Sequence, residues 1–303
     1  MMAPRRLPQA RPPVRVAAAH GAPVGRVSRR AVLFAVGLAA ATGSRAAGPA
    51  PARIVTLGGV VTEIAFALGA ADRLVGVDDS SLYPAAAQKL PKVGYYRGFS
   101  VEGVASLQPD LVIASDQAGP PPALEQLRKL GKPVVVVPSA PTVEALVARI
   151  QGVADALGAQ AAGEQLVARI RADVAAATKG AGGQQVLLVS SRGGKLEGAG
   201  RDTAADAVLR LAGAHNVLSA ERGYKALSAE GAVALRPEVI VTTTMSVTAA
   251  GGLDAFLAQP GIAVTPAGRA RRVVVMDDLL LLGFGPRLPE ALRQLQNGLS
   301  GRR

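Results

Sequence analysis

The sequence predicts an α/β protein in which two similar lobes flank a long helical connection, with a ligand cleft between the lobes. Three observations point there. Short apolar strands alternate with helical segments in both halves of the chain, the pattern of α/β units. Between them, Thr142 to Lys179 runs at helical spacing with no strand-like stretch. A sixteen-residue block, Ser100 to Ser115, also recurs without gaps at Ser228 to Thr243.

In chain order, Arg53-Ile-Val-Thr-Leu57 is a short apolar strand followed by a Gly58-Gly59 turn. Thr62 to Leu68 has helical spacing and stops at Gly69, as helices do at glycine. Leu74 to Val77 and Leu111 to Ala114 read as strands. Pro121 to Leu130 reads as a helix, with proline at its start and Gly131 after its end. Val134 to Val137 is apolar at every position, as strands buried on both faces are. The helical connection places Val143, Leu146, Val147, Ile150, Val153 and Leu157, then Leu166, Val167, Ile170 and Val174, at core spacing, interrupted only by Gly158 and Gly163. Gly180 to Gly183 ends it, and Val186 to Val189 opens the second α/β unit.

The repeat carries the symmetry. Ser, Glu, Gly, Leu and Pro recur at identical spacing with an offset of 128 residues. Each copy reads as a capped short helix, a proline turn and a buried strand. Two pseudo-equivalent lobes place a cleft, and hence a ligand, between them.

Composition narrows the function. The chain has 303 residues and no cysteine, which removes disulfide frameworks, thiolate metal sites and cysteine nucleophiles. The net charge of +12 suggests nucleic acid, but residues 1–47 hold eight arginines and no acid. Without them the 34 basic residues fall to 26 against 22 acidic ones, and no basic run interleaved with aromatics remains, so no nucleic-acid partner is expected. Those first 47 residues read as a signal peptide: a basic, proline-rich stretch, Arg29-Arg30, an apolar run from Ala31 to Gly43, and small residues around Ser44, Ala46 and Ala47. The arginine pair suggests the twin-arginine route, with an ordinary secretory signal as the alternative. At 13 residues the apolar run is shorter than the roughly 20 needed to span a bilayer. A soluble, exported product is expected. Its parts are a first lobe over 48–140, the linking helix over 141–180 and a second lobe over 181–303.

The stretches TLGGVVTEIAFALGAADRLVGVDDSSLYP, KVGYYRGFSVEGVASLQPDLVIAS and VVVMDDLLLLGFGPRLPEAL resemble the periplasmic hemin-binding proteins of bacterial heme ABC importers. The resemblance covers nearly all of the chain after residue 50, in order. It implies two Rossmann-like lobes joined by one long rigid helix, with heme in the cleft, delivered by a monomer to a permease dimer in the inner membrane. An outer-membrane heme receptor would stand upstream. The family's axial ligand to heme iron is the tyrosine of a Gly-Tyr-x-Arg block, here Tyr95 of Gly94-Tyr95-Tyr96-Arg97. Ferric iron is a hard acid and phenolate a hard anionic ligand. In an extended segment Arg97 shares a side with Tyr95 and stabilises its charge. Tyr96 either packs on the porphyrin or supplies the ligand itself.

The repeat offset sets Tyr224 and Lys225 across the cleft from Tyr96 and Arg97, and a cation there can meet a heme propionate. Arg201 is a second propionate candidate, while Thr203 reads as a helix cap. Glu102 and Glu230 match in the two copies; the resemblance implies that they meet arginines of the permease, and the alternative is a pair of capping-box glutamates. His215 reads as a structural or solvent-facing residue. No histidine pair remains for a metal cluster and no Ser-His-Asp triad can be built, so no enzyme is expected. The same fold binding a ferric siderophore or cobalamin is the nearest alternative, and a two-lobed metalloenzyme a more distant one.

Overall fold

Strand β1 (Ile54–Leu57) is buried at every position, because it has a parallel neighbour on each side in the computed structural model. The structure describes residues 50–178, 183–192 and 195–301; the signal-peptide reading lies outside the described residues. The chain continues through α1 (Gly59–Ala67), β2 (Leu74–Val77), α2 (Val101–Ser106), β3 (Leu111–Ser115), α3 (Pro121–Lys129) and β4 (Val134–Val137). The four strands are all parallel in the order β2-β1-β3-β4. β4 differs from expectation. It is an edge strand, and its Val136 is 42% exposed. A run of four valines reports burial potential, not the number of neighbours.

The connection is helical, as predicted, but it is a pair of helices and not one long rigid helix. α4 (Val143–Leu157) begins at Thr142, whose hydroxyl accepts from the Ala145 amide at 3.1 Å. It ends at Gly158, which adopts the left-handed conformation with φ 70°. There Ala159 N donates to Ala154 O at 2.8 Å and Gly158 N to Asp155 O at 3.2 Å, the paired bonds of a Schellman stop. α5 (Gln160–Ala177) then starts afresh. A Cβ at Gly163 would stand 2.5 Å from that of Ala154, so this glycine lets α5 pack directly against α4. Both glycines are visible in the sequence, but only Gly158 breaks the helix, because a left-handed residue cannot continue it.

The second lobe comprises β5 (Gln185–Arg192), β6 (Lys195–Ala199), α6 (Ala204–Leu211), β7 (His215–Asn216), β8 (Tyr224–Ala226), α7 (Ala229–Ala234), β9 (Val239–Thr243), α8 (Thr244–Ala249), α9 (Leu253–Leu257), α10 (Pro260–Ala263), α11 (Pro266–Arg269), β10 (Val273–Met276), α12 (Asp278–Leu282) and α13 (Leu288–Leu299). Its sheet runs β10-β9-β5-β6-β8, with β7 also paired to β5. β10, β9 and β5 are parallel, while β6 and β8 are antiparallel additions.

Side chains alternate across each sheet, as the strand period demands. In the first lobe Ile54 and Ile113 enter one core while Val55 and Val112 enter another. In the second, Leu188 and Val241 join the first of these cores while Leu187 and Ile240 form a third. The shared core also takes Leu146, Ile150, Leu166, Ile170 and Leu292. One apolar layer therefore runs from lobe to lobe through the linking helices.

Candidate functional site

Ligands of open α/β sheets bind outside the carboxyl ends of the strands. α1 leaves the carboxyl end of β1, and α12 that of β10. The two helix starts meet: a Cβ on Gly59 would lie 3.1 Å from Leu279 Cδ1. The carboxyl ends of β1 and β10 thus meet at one seam between the lobes.

Tyr95 sits in the first lobe, in a loop pinned at both ends. Before it, Val93 N donates to Val77 O at 3.1 Å and Gly94 O accepts from Asp79 N at 3.0 Å, tying the loop to the end of β2. Gly94 has φ 92°, which a residue with a Cβ rarely adopts. After it, Gly98 N donates to Tyr95 O at 2.7 Å and Gly119 N to Tyr96 O at 2.9 Å, tying the loop to the segment after β3. The Tyr95 side chain is 48% exposed, and its ring meets that of Tyr96 edge-on with centroids 4.8 Å apart. Tyr96 packs against the first-lobe core.

Arg97 departs from expectation. Residues 96–98 form a 3-10 turn and not an extended segment. Spacing by two therefore does not decide which phenol the arginine meets. Arg97 Nε donates to Tyr96 Oη at 2.9 Å, with its guanidinium carbon 5.3 Å from the Tyr96 ring centroid.

On the second lobe, Tyr224 and Lys225 are neighbours on β8, opposite Ala199 and Gly198 of β6. Successive strand residues point to opposite faces, so one flat ligand can lie against Tyr224 or Lys225, not both. Arg201 is close by: its N donates to Glu221 O at 2.8 Å and its O accepts from Gly223 N at 2.9 Å. Thr203 is the helix cap it was read as, accepting from the Asp206 amide at 3.1 Å. His215 falls on β7 and is exposed. A shallow cavity of about 340 Å³ lies between Lys195, Leu227 and Pro260, and none of the candidate ligand residues lines it.

The repeat is structural. Ser100 caps α2 by accepting from Gly103 N at 2.9 Å, and Ser228 caps α7 by accepting from Gly231 N at 3.0 Å. Gln108 and Arg236, also 128 residues apart, share the left-handed conformation with φ 46° and 47°. β3 and β9 are both fully buried. Glu102 and Glu230 are exposed in the first turns of the two helices. Glu102 Oε2 lies 3.4 Å from Ser100 Oγ.

Two features escaped the sequence reading. Asp78 is fully buried and accepts from Gly58 N at 2.9 Å, Ser80 N at 2.8 Å and Ser81 Oγ at 2.8 Å. It thereby occupies the Gly58 amide, which agrees with reading Gly58-Gly59 as a turn. The second feature is a buried ion pair on the seam. Arg287 Nε and Nη2 donate to Glu63 Oε1 and Oε2 at 2.9 and 3.3 Å. The guanidinium also lies 3.6 Å from the Tyr83 ring centroid. Burial pushes the Glu63 carboxyl up, and Arg287 pulls it back only in part. Both residues stand in the family-like stretches, but nothing local joins positions 224 residues apart.

Comparison with known proteins agrees with this architecture. The periplasmic binding protein family matches residues 54–280. An uncharacterized ABC transporter substrate-binding lipoprotein, YvrC of Bacillus subtilis, is 31% identical over 82% of the chain and 80% of its own length. The vitamin B12-binding protein of Vibrio campbellii is 36% identical, over 47% of the chain and 51% of its own length. Among solved structures, the periplasmic heme-binding protein BhuT, in complex with two hemes, is 45% identical with a TM-score of 0.77, covering 82% of the chain and 98% of that protein. The periplasmic heme-binding protein RhuT from Roseiflexus sp. RS-1, in apo form, is 40% identical with a TM-score of 0.80 at the same coverages.

Proposed function

The chain belongs to the periplasmic binding protein family, and from that premise we propose that it binds heme between its two lobes and delivers it to an ABC importer. The observation that carries the reading is Tyr95: a half-exposed phenol on a loop fixed at both ends, at the carboxyl edge of the first-lobe sheet. The likeness to heme-binding proteins over 82% of the chain supports it.

Tyr95 is the axial ligand of ferric heme in this proposal. Tyr96 is the weaker candidate, because its ring packs against the first-lobe core. A phenol ordinarily ionises near pH 10. The iron drives that ionisation at neutral pH, and Arg97 supplies a cation nearby that favours the charged form. On the opposite wall, Arg201 and either Lys225 or Tyr224 meet the porphyrin, the cations taking its propionates. The test is an absorption titration with hemin. Wild type should give a saturable ferric spectrum, and Tyr95→Ala should lose most of the affinity. Wild-type affinity in the variant would remove Tyr95 from the site.

The partial likeness to vitamin B12-binding proteins favours one second reading, a corrin ligand. Cyanocobalamin that competes with hemin at equal concentration would support it over heme.

Delivery requires a partner. Glu102 and Glu230, exposed at equivalent places on two lobes, suit a two-fold permease dimer, which they steer more than they hold. Glu→Arg at both should abolish uptake while hemin binding persists; undiminished uptake would leave the glutamates as local caps. The first 47 residues export the protein in this proposal, to where an outer-membrane receptor would release heme. No helix of the described residues is long and apolar enough to cross a membrane.

A further inference from the structure

Three groups tie the lobes together at this seam. The first is apolar: Cβ atoms on Gly283 and Gly285 would come within 3.0 and 3.3 Å of Val60 side-chain atoms, so α1 rests on the backbone between α12 and α13. The second is Arg149 on α4. It donates to Pro138 O and Ala140 O of the first lobe, and to Phe284 O of the second at 3.2 Å. Burial pulls its guanidinium down to about 10, so it keeps its charge at neutral pH. The third is Arg287, which enters from the second lobe between two first-lobe side chains, the Glu63 carboxylate and the Tyr83 ring. Asp277, at 3.9 Å, is the other acid facing it.

We propose that Arg287 is a positioning residue that sets the width of the crevice by locking the second lobe to Glu63 and Tyr83 of the first. Three features support this. The contact is bidentate, and a guanidinium fork bound to both carboxylate oxygens fixes orientation as well as distance. The pair is sheltered, with side-chain exposures of 15% for Arg287 and 4% for Glu63, so solvent screens it little. Its place also joins the two lobes directly, since it bridges α1 of the first lobe and the turn before α13 of the second. The same geometry gives Arg287 a negative role. Its charge is spent on Glu63, so it does not serve as a ligand for an anionic cargo. The link to cargo release rests on the heme reading; the lobe lock itself does not.

The chain has no cysteine, so single cysteines at the exposed positions Lys129 and Ala258 place one spin label on each lobe without background. Pulsed electron resonance on the ligand-free mature protein then reads the interlobe distance. Wild type should give one narrow distribution. Arg287→Ala should give a longer mean and a wider spread, and Glu63→Gln, which keeps a neutral hydrogen bond, an intermediate width. Arg271→Ala, which breaks an exposed pair with Asp254 inside the second lobe, should match wild type. If Arg287→Ala does not fold, Tyr83→Leu removes only the stacked ring and should still widen the distribution. A distribution identical to wild type in the folded Arg287 or Tyr83 variant overturns the proposal. Hemin release should quicken in whichever variant widens the distribution. Failure to bind hemin at all would sink the heme reading and leave the distance result standing.

Discussion

In the first lobe the segment before the capping serine is a tight turn that presents Tyr95; in the second the corresponding segment is the strand β8, laid against a hairpin. Around that difference the lobes agree closely, in the serine caps, the left-handed residue before the proline, and the buried central strand. The shared parts do structural work that any ligand would need. In the proposed site the divergent part separates the roles, with the fixed phenol of Tyr95 from one lobe and the aromatic–cation strand β8 from the other.

The largest effect expected from this asymmetry is on hemin affinity. Tyr95→Ala removes the proposed iron ligand and should cost more than the roughly 10- to 100-fold typical of outer-shell partners. Tyr224→Ala should stay within or below that range. Equal losses in parallel titrations would dissolve the distinction between the walls.

The seam should show the next largest effect, on stability. Removing one partner of a buried pair leaves an uncompensated charge, so Arg287→Ala should cost about 3–5 kcal/mol in denaturant unfolding. The loss should depend on pH. Burial already raises the Glu63 carboxyl, and without the arginine only burial and the nearby Asp277 act on it, both upward. A folded-state value above the unfolded one favours the protonated form. The deficit should therefore be smaller at about pH 4 than at about pH 7, growing as pH rises through the raised value. A deficit that shrinks with rising pH would show that the charge is not what destabilises the variant.

The smallest effect tests the symmetry. Ser100→Ala and Ser228→Ala each delete one cap bond and should each cost about 1 kcal/mol. Thermal unfolding of the two variants should match. A large difference would mean that the repeated caps carry unequal loads, and that the lobes are less alike than their backbones.

Local patterns made much of this legible in advance. Strand and helix order followed from apolar period, and the repeat followed from five identical residues at fixed spacing. Thr203 read correctly as a cap because capping is a matter of neighbouring residues. What failed required knowledge of neighbours in space. Val136 is exposed because β4 has one partner, which four valines do not encode. Arg97 meets Tyr96 through a turn, not the extended backbone assumed for it. Gly158 breaks the linking helix through its φ, although the apolar stripe continues on both sides. The Glu63–Arg287 pair joins opposite ends of the chain, and the antiparallel β6 and β8 are short, with no clear period of their own.

In the proposed site one phenol, Tyr95, holds the iron while its counterparts only pack. Resonance Raman and absorption spectra of the ferric hemin complex test it directly, on wild type, Tyr95→Phe and Tyr96→Phe. Wild type and Tyr96→Phe should show an iron–tyrosinate signature, and Tyr95→Phe should lack it. A tyrosinate signature that survives in Tyr95→Phe and vanishes in Tyr96→Phe would contradict the account and move the ligand to Tyr96.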